Sequence, residues 1–328
     1  MGKGGKQSAS GSADLGFRIG TGVFPLFLIG IVCAIGFLLT RDAWLSIQKF
    51  GFGFWGSQVW NPVSGEFGAL PFIWGTLYSS VLALLIATPI SIGIAVFIAE
   101  MSPAVLRQPL VFLTELLAAI PSIVYGLWGI FVLVPAVRSI ETSLPDVARR
   151  LPLFSGPPLG LGMLAAALVL AIMVIPFTSS IAREVLKSVP AAQREGAYAL
   201  GATRLEAIRA ALFYARTGII GGVMLGFGRA LGETMAVTMV IGNNPRISAS
   251  LFAPQHTMAA VIANEFTEAA DQLYLSALVE IGLVLFTITL IVNSLSRLLI
   301  WSMTRSSRVS VAGSVETAEP LATEPAAG

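Results

Sequence analysis

Apolar residues in this chain neither alternate nor recur at helical spacing over short amphipathic stretches. They run on in six long segments, 19–40, 74–99, 110–136, 159–182, 218–242 and 277–301, with most of the charge confined to the gaps. About 20 apolar residues in helical form cover a hydrocarbon core of about 30 Å. The pattern therefore predicts an all-α polytopic membrane protein of six transmembrane helices, not the two soluble domains that 328 residues would allow. The first segment follows Lys3, Lys6 and Arg18, as a signal peptide would. It is longer than a signal's apolar region and lacks an A-x-A site, which predicts a retained anchor. Residues 1–16 and 306–328, rich in Gly, Ser, Ala, Thr and Glu, are expected to be flexible tails around a membrane domain spanning 17–305.

Composition agrees and narrows the function classes. The chain is 55% hydrophobic with mean hydropathy +0.82, and 12% of it is charged, against about 25% in soluble domains. A net charge of +2 points to no nucleic-acid partner. Cys33 is the only cysteine and His256 the only histidine, so neither a disulfide framework nor a Cys or His metal cluster can form. With an internal N-terminus, thirteen basic residues fall on the inner side and six on the outer, and Arg229 lies within a span. The positive-inside rule then places both termini in the cytoplasm. The outer loop 41–73 carries Trp44, Phe50, Phe52, Phe54, Trp55 and Trp60. These residues suit interfacial anchoring or a docking surface for an external partner.

One inner loop is more organised than a connection requires. In REVLKSVPAAQREGAYALGATRLEAIRAALFYARTG, a helical run over 191–200 ends at Gly201, the residue best suited to a left-handed C′ position. Thr203 with Glu206 three residues on reads as a capping box opening the next helix. Two short helices meeting at a glycine bend are expected between the fourth and fifth spans. A helix lying on the lipid surface is the rival reading, but Glu195 and Glu206 would then face anionic headgroups.

The segment GFGRALGETMAV, 226–237, places Arg229 and Glu233 inside a span. An ionisable residue at mid-membrane costs about 2.5–3.5 kcal/mol or more, so its retention needs a reason. On a continuous helix residues four apart share a face, and Arg229 and Glu233 could pair there. Gly222 and Gly226, and Gly228 and Gly232, supply two GxxxG spacings that would let neighbouring helices approach. The pair could pin helices together. Alternatively, Arg229 could lower the barrier to a crossing oxyanion, since its planar fork matches two oxygens. Glu233 would then offer the cation another partner when the anion leaves. Glu115 could face the same interior or sit structurally at the interface, and no role is assigned to Glu280. Pro121 and Pro176 are expected to kink the third and fourth spans.

The loop string EGAYALG, Glu195 to Gly201, resembles the E-A-A-x-x-x-G motif of ABC-importer permeases, with Gly196 in place of the first Ala and Ala197 matching the second. The family's later I-x-L-P is represented by Ala211, Leu212, Phe213 and Tyr214, without the proline. Three blocks, TELLAAIPSIVYGLWGIFVLVP, VIPFTSSIAREVLKSVP and FGRALGETMAV, resemble the PstC family of phosphate ABC-importer permeases across most of 70–301. That resemblance implies a type I importer fold. It also implies that Glu195, Gly196, Ala197, Gly201, Thr203 and Glu206 couple to an ATPase, and it supports Arg229 and Glu233 as pathway residues. The implied partners are a homologous PstA-like permease, two copies of a PstB-like ATPase and an external PstS-like phosphate-binding protein. This chain has no G-x-x-x-x-G-K-[ST], so it would bind no cofactor itself, and ATP with Mg would be held by the ATPase. A permease for molybdate, sulfate or phosphonate and an ion-gradient-driven transporter are the rivals. A membrane enzyme finds no nucleophile–base pair or metal cluster to support it.

Overall fold

The computed structural model describes residues 7–316, and among these the regular structure is helical, with one isolated antiparallel bridge between Asn61 and Glu66. Six helical stretches are long and apolar enough to cross a membrane: 20–42, 70–101, 122–143, 163–187, 204–231 and 272–302. The number agrees with the hydropathy pattern, but two spans differ in how they are built.

Helix α1 (Gln7–Asp42) leads to two short helices, α2 (Trp44–Phe50) and α3 (Gly53–Gly56). Gly51 stops α2 at φ +55, a conformation that suits glycine because it has no Cβ. Helix α4 (Leu70–Val96) continues as a π-turn over Phe97–Met101, and α5 (Ala104–Ala119) follows. The expected third span, 110–136, is not one kinked helix. Ile120 is extended, and Pro121 stands at the N-cap of α6 (Ser122–Trp128), which runs through a π-turn at Gly129–Leu133 into α7 (Val134–Ser143). A proline disfavours helical backbone at the residue before it, so Pro121 ends one helix and starts another. A short α8 (Asp146–Arg149) precedes α9 (Met163–Lys187), which runs through Pro176 without interruption.

The loop helix α10 (Ala191–Ala199) is followed by α11 (Arg204–Leu231), which spans both the second loop helix and the fifth membrane segment. At 28 residues it is a rod about 42 Å long. Helix α12 (Met235–Val240), α13 (Met258–Glu265) and the long α14 (Gln272–Glu316) complete the chain. Where tails were expected, residues 7–16 and 306–316 are helical, because α1 and α14 run on beyond their apolar segments without a proline to stop them. The remainder of both expected tails lies outside the described residues.

The most enclosed span is α9. Ala83, Ala87, Ser91 and Ala95, four apart on α4, are all buried, and α4 meets α9 closely, with the Ser91 hydroxyl donating to the Ile175 carbonyl. On the next side, Gly218, Gly222 and Gly226 of α11 face Val185, Ile181 and Thr178 of α9, where an added Cβ would stand within 2.6–2.8 Å of a side-chain atom. One expected GxxxG pair, Gly222 and Gly226, thus forms a helix contact. Gly228 instead lies against Asn293 of α14, and Gly232 faces no neighbouring helix.

The aromatic loop forms a second core. Phe54, Phe67 and Phe72 are buried with Met258, Leu278 and Ile281. Trp60 packs edge-on to Phe67 and Phe72 and donates its indole N–H to Glu265 at 2.9 Å. Phe50, Phe54 and Trp60 are therefore inward-facing side chains that fix the α2–α3 hairpin to α13 and α14, which is neither role expected for them. Trp44 and Phe52 remain exposed.

Candidate functional site

The charged segment in the fifth span sits at a break in the helix. Helix α11 ends at Leu231, Gly232 is its C-cap, Glu233 and Thr234 are non-helical, and α12 restarts at Met235. The expected continuous helix over 218–242 is corrected accordingly, and with it the i,i+4 pairing, because no ion pair joins Arg229 to Glu233 among the described residues. Each charge is met instead by a helix end. Arg229 occupies the last turn of α11, where unpaired carbonyls favour a cation. Glu233 accepts a hydrogen bond from the Ala236 amide at 3.4 Å, at the start of α12, where free amides favour an anion. Backbone broken at membrane depth is tolerated only where protein or a water-filled cavity surrounds it.

The walls of this break are aromatic and close-packed. The Arg229 guanidinium stands 5.7 Å from the Phe177 ring centroid on α9. Tyr125 of α6 lies within its electrostatic reach and donates its hydroxyl to the Leu117 carbonyl. Gly126 lets α6 rest on α12, since a Cβ there would stand 2.6 Å from Met239 Sδ and 3.1 Å from Ala236 Cα. Arg229 itself is exposed in the isolated chain. A cation exposed in the isolated chain beside an aromatic ring, with a carboxylate two residues past the last helical residue, has the chemistry to attract an oxyanion.

Glu115 does not join this group. On α5, its carboxylate pairs with Arg183 of α9 at 3.3 Å, and Arg183 also meets Glu184 at 2.9 Å. Arg183 lies between one and two turns along α9 from Phe177. Its side chain is 5% exposed, against 58% for Glu115.

The loop motif folds as its chemistry requires. Gly201 has φ +82, its amide donates to the Tyr198 carbonyl at 2.9 Å, and the Ala202 amide donates to the Ala197 carbonyl at 3.1 Å. These two bonds make a Schellman motif that satisfies the last carbonyls of α10. The Thr203 amide and hydroxyl donate to Glu206 Oε2 at 2.7 and 2.8 Å, which opens α11. Glu195, Gly196 and Ala197 lie on α10, which buries no residue, and Leu200 at its end is 91% exposed. An uncovered helix of this kind is available to a partner.

His256 is buried at the opposite end of the bundle. Its Nδ1 accepts the Thr257 amide at 3.1 Å, its ring packs edge-on to Phe72, and burial pushes its pKa down to about 4. The surrounding loop caps α9, since the amides of Gly162, Met163 and Leu164 donate to the carbonyls of Val240, Ala253 and Leu251. Among the described residues, no group of three or more His, Cys, Asp or Glu is arranged to hold a metal.

Sequence reasoning missed several partners: Phe177, Arg183, Glu100 and Arg194. The first two are separated in sequence from the residues they meet. Glu100 and Arg194 lie 94 residues apart, so their join is not legible from either one's local sequence.

Comparison with known proteins gives consistent results. Residues 91–305 match the family model described as binding-protein-dependent transport system inner membrane component. A Mesorhizobium japonicum protein named phosphate transport system permease protein PstC is 47% identical over 87% of this chain and 89% of its own length. The Pasteurella multocida protein of the same name is 50% identical over 88% and 91%. A Methanocaldococcus jannaschii protein, named a probable PstC, is 41% identical over 83% and 88%. Among solved structures, a chain of the MetNI methionine ABC transporter in an inward-facing conformation has a similar fold, with a TM-score of 0.52 at 14% identity over 70% of this chain and 93% of that one.

Proposed function

The chain belongs to the binding-protein-dependent transport permeases, and within them to the PstC family; on that premise we propose that it forms half of the membrane pathway of an ATP-driven importer of inorganic phosphate. The observation that carries the reading is the continuity of α11. One rod begins at the Thr203–Glu206 capping box and ends, 28 residues later, beside Arg229 and the break at Gly232. A push on the loop therefore reaches the charged break without crossing a flexible joint.

In the proposed cycle, a homologous PstA-like permease supplies the other half of the pathway. Two PstB-like ATPases, which hold ATP and Mg, seat against α10, and a PstS-like binding protein delivers phosphate from outside. ATP binding draws the ATPases together, α10 and α11 carry the motion inward, and the pathway opens to the binding protein. Phosphate passes Arg229, whose guanidinium offsets the cost of bringing a monovalent or divalent anion into a medium of low dielectric. Glu233 keeps that attraction weak enough for release. Hydrolysis returns the pathway to its inward-open state. Glu115 is assigned to bracing α5 against α9, not to the pathway.

The test is purification of the tagged chain with its associated subunits and reconstitution in vesicles. Phosphate uptake is expected to require ATP, to persist with an ionophore present, and to resist excess molybdate or sulfate. Uptake without ATP that collapses with the ionophore would overturn the proposal in favour of a gradient-driven carrier. Competition by another oxyanion would reassign the substrate.

A further inference from the structure

Helix α4 lies far from the coupling loop in sequence, 94 positions separating Glu100 from Arg194, yet its inner end is tied to it by charge. Glu100 lies in the π-turn that ends α4. Its Oε1 receives two hydrogen bonds from Arg194 of α10, from Nε at 3.1 Å and Nη2 at 2.6 Å. The same guanidinium donates to the Val189 carbonyl from Nη1 and to the Leu186 carbonyl from Nη2, both at 2.9 Å, closing the C-terminal end of α9. From the other side, Arg204 at the start of α11 donates to the Glu100 main-chain carbonyl at 2.7 Å. The Arg194 and Glu100 side chains are 24% and 14% exposed, so both are largely withdrawn from water. One guanidinium thus joins α4, the end of α9 and the coupling helix, and a second arginine joins α4 to α11.

The rest of α4's seat looks different. Apart from the Ser91 hydroxyl bonded to the Ile175 carbonyl, its row of Ala83, Ala87 and Ala95 presents a smooth face to α9, and small residues at such a contact suit the limited sliding of packed helices seen in shear motions. One neutral hydrogen bond restrains such a slide only weakly, whereas a charge-assisted guanidinium contact has a defined geometry and is roughly twice as strong. The π-turn supports the assignment, because the extra residue in such a bulge redirects side chains and is frequent at functional sites.

We infer that the Glu100–Arg194 clasp is a transmission element, which makes α4 move with the coupling helix when the ATPase displaces it, so that three helices around the pathway respond together. The inference rests on the importer reading above, since it needs an ATPase seated on α10. Arg194 and Glu100 are positioning residues in it and touch no substrate.

The experiment is a double-mutant cycle on the intact complex, with Glu100→Gln, Arg194→Gln and both together, and with Arg194→Lys as a milder companion that keeps the charge but loses the fork. Subunit composition, ATP hydrolysis and phosphate uptake are measured on the same vesicles. The expected result is normal assembly, hydrolysis within about twofold of the unsubstituted complex, and phosphate carried per ATP reduced about tenfold or more in each glutamine variant. The double variant is expected to lose no more than either single, because the two residues act as one unit. Arg194→Lys is expected to fall between. An unchanged ratio of phosphate to ATP, losses that multiply in the double variant, or loss of the ATPase from the glutamine complexes would each overturn the clasp. If the unsubstituted complex itself carries phosphate without ATP, it is the importer reading that fails.

Discussion

Arg229 and Glu233 reach membrane depth by a different route from direct pairing. A break in the helix gives the cation a C-terminal end and the carboxylate an N-terminal end, four residues apart. Each half-helix end carries partial charge of the opposite sign to the residue beside it, and no ion pair joins the two side chains among the described residues. In the proposed function, this guanidinium is the group that meets an incoming anion. Elsewhere, a titratable residue serves the opposite purpose. His256 accepts the Thr257 amide only while neutral, and its buried imidazole has a pKa of about 4, against 6.5 in an unfolded chain. The unfolded state therefore takes up a proton first as the medium is acidified. The stability contributed by the neutral ring is complete above pH 6.5, erodes as pH falls through that value, and is gone below pH 4, a difference of about 3 kcal/mol. Thermal unfolding of the purified complex should show a midpoint falling between pH 7 and 4.5, with a shallower fall in His256→Asn, which keeps an acceptor for the amide but cannot be protonated. Equal slopes in the two proteins would remove His256 from the explanation.

At the scale of the element, the chain was legible where structure is made by neighbours in sequence. Gly201, Thr203 and Glu206 build a helix stop and a helix start from contacts within a few residues, and both formed as the spacing predicted. Pro121 and Gly232 were harder, because each has two local readings. Proline inside an apolar run can bend a helix or end it, and Pro176 does not interrupt its helix whereas Pro121 begins a new one. Gly232 fitted a GxxxG spacing, yet glycine followed by Glu and Thr is also the sign of one helix ending and another beginning. The inward packing of Trp60 and Phe54 could not be read locally, since Trp60 meets Glu265, 205 positions away. The α9–α11 contact yields a prediction that separates packing from propensity. At Gly222 an added Cβ would stand 2.8 Å from Ile181 Cγ2, whereas at Gly221 the nearest atom is Ile300 Cδ1 at 3.6 Å. Gly222→Ala should therefore cost about 1–3 kcal/mol through overpacking, while Gly221→Ala should be neutral or slightly stabilising through helix propensity. Unfolding midpoints of the two variants check this, and equal values would contradict the close approach.

Across the whole molecule, the same helix joins the two halves of the proposed function. Helix α11 carries the coupling-loop junction at one end and Arg229 at the other, and α9 supports it through a row of glycines. The six spans and the family motif blocks were open to sequence reading because hydropathy and local motifs encode them. The joins between α4 and the loop, and between Arg183 and Glu115, were not, because they depend on which helices lie side by side. The account stands most directly on Arg229 as a station in the phosphate route. The deciding measurement is phosphate uptake by ATP-loaded vesicles holding a fully assembled Arg229→Ala complex. Uptake at background level, with the ATPase still bound, is the predicted result; uptake at the rate of the unsubstituted complex would contradict the account.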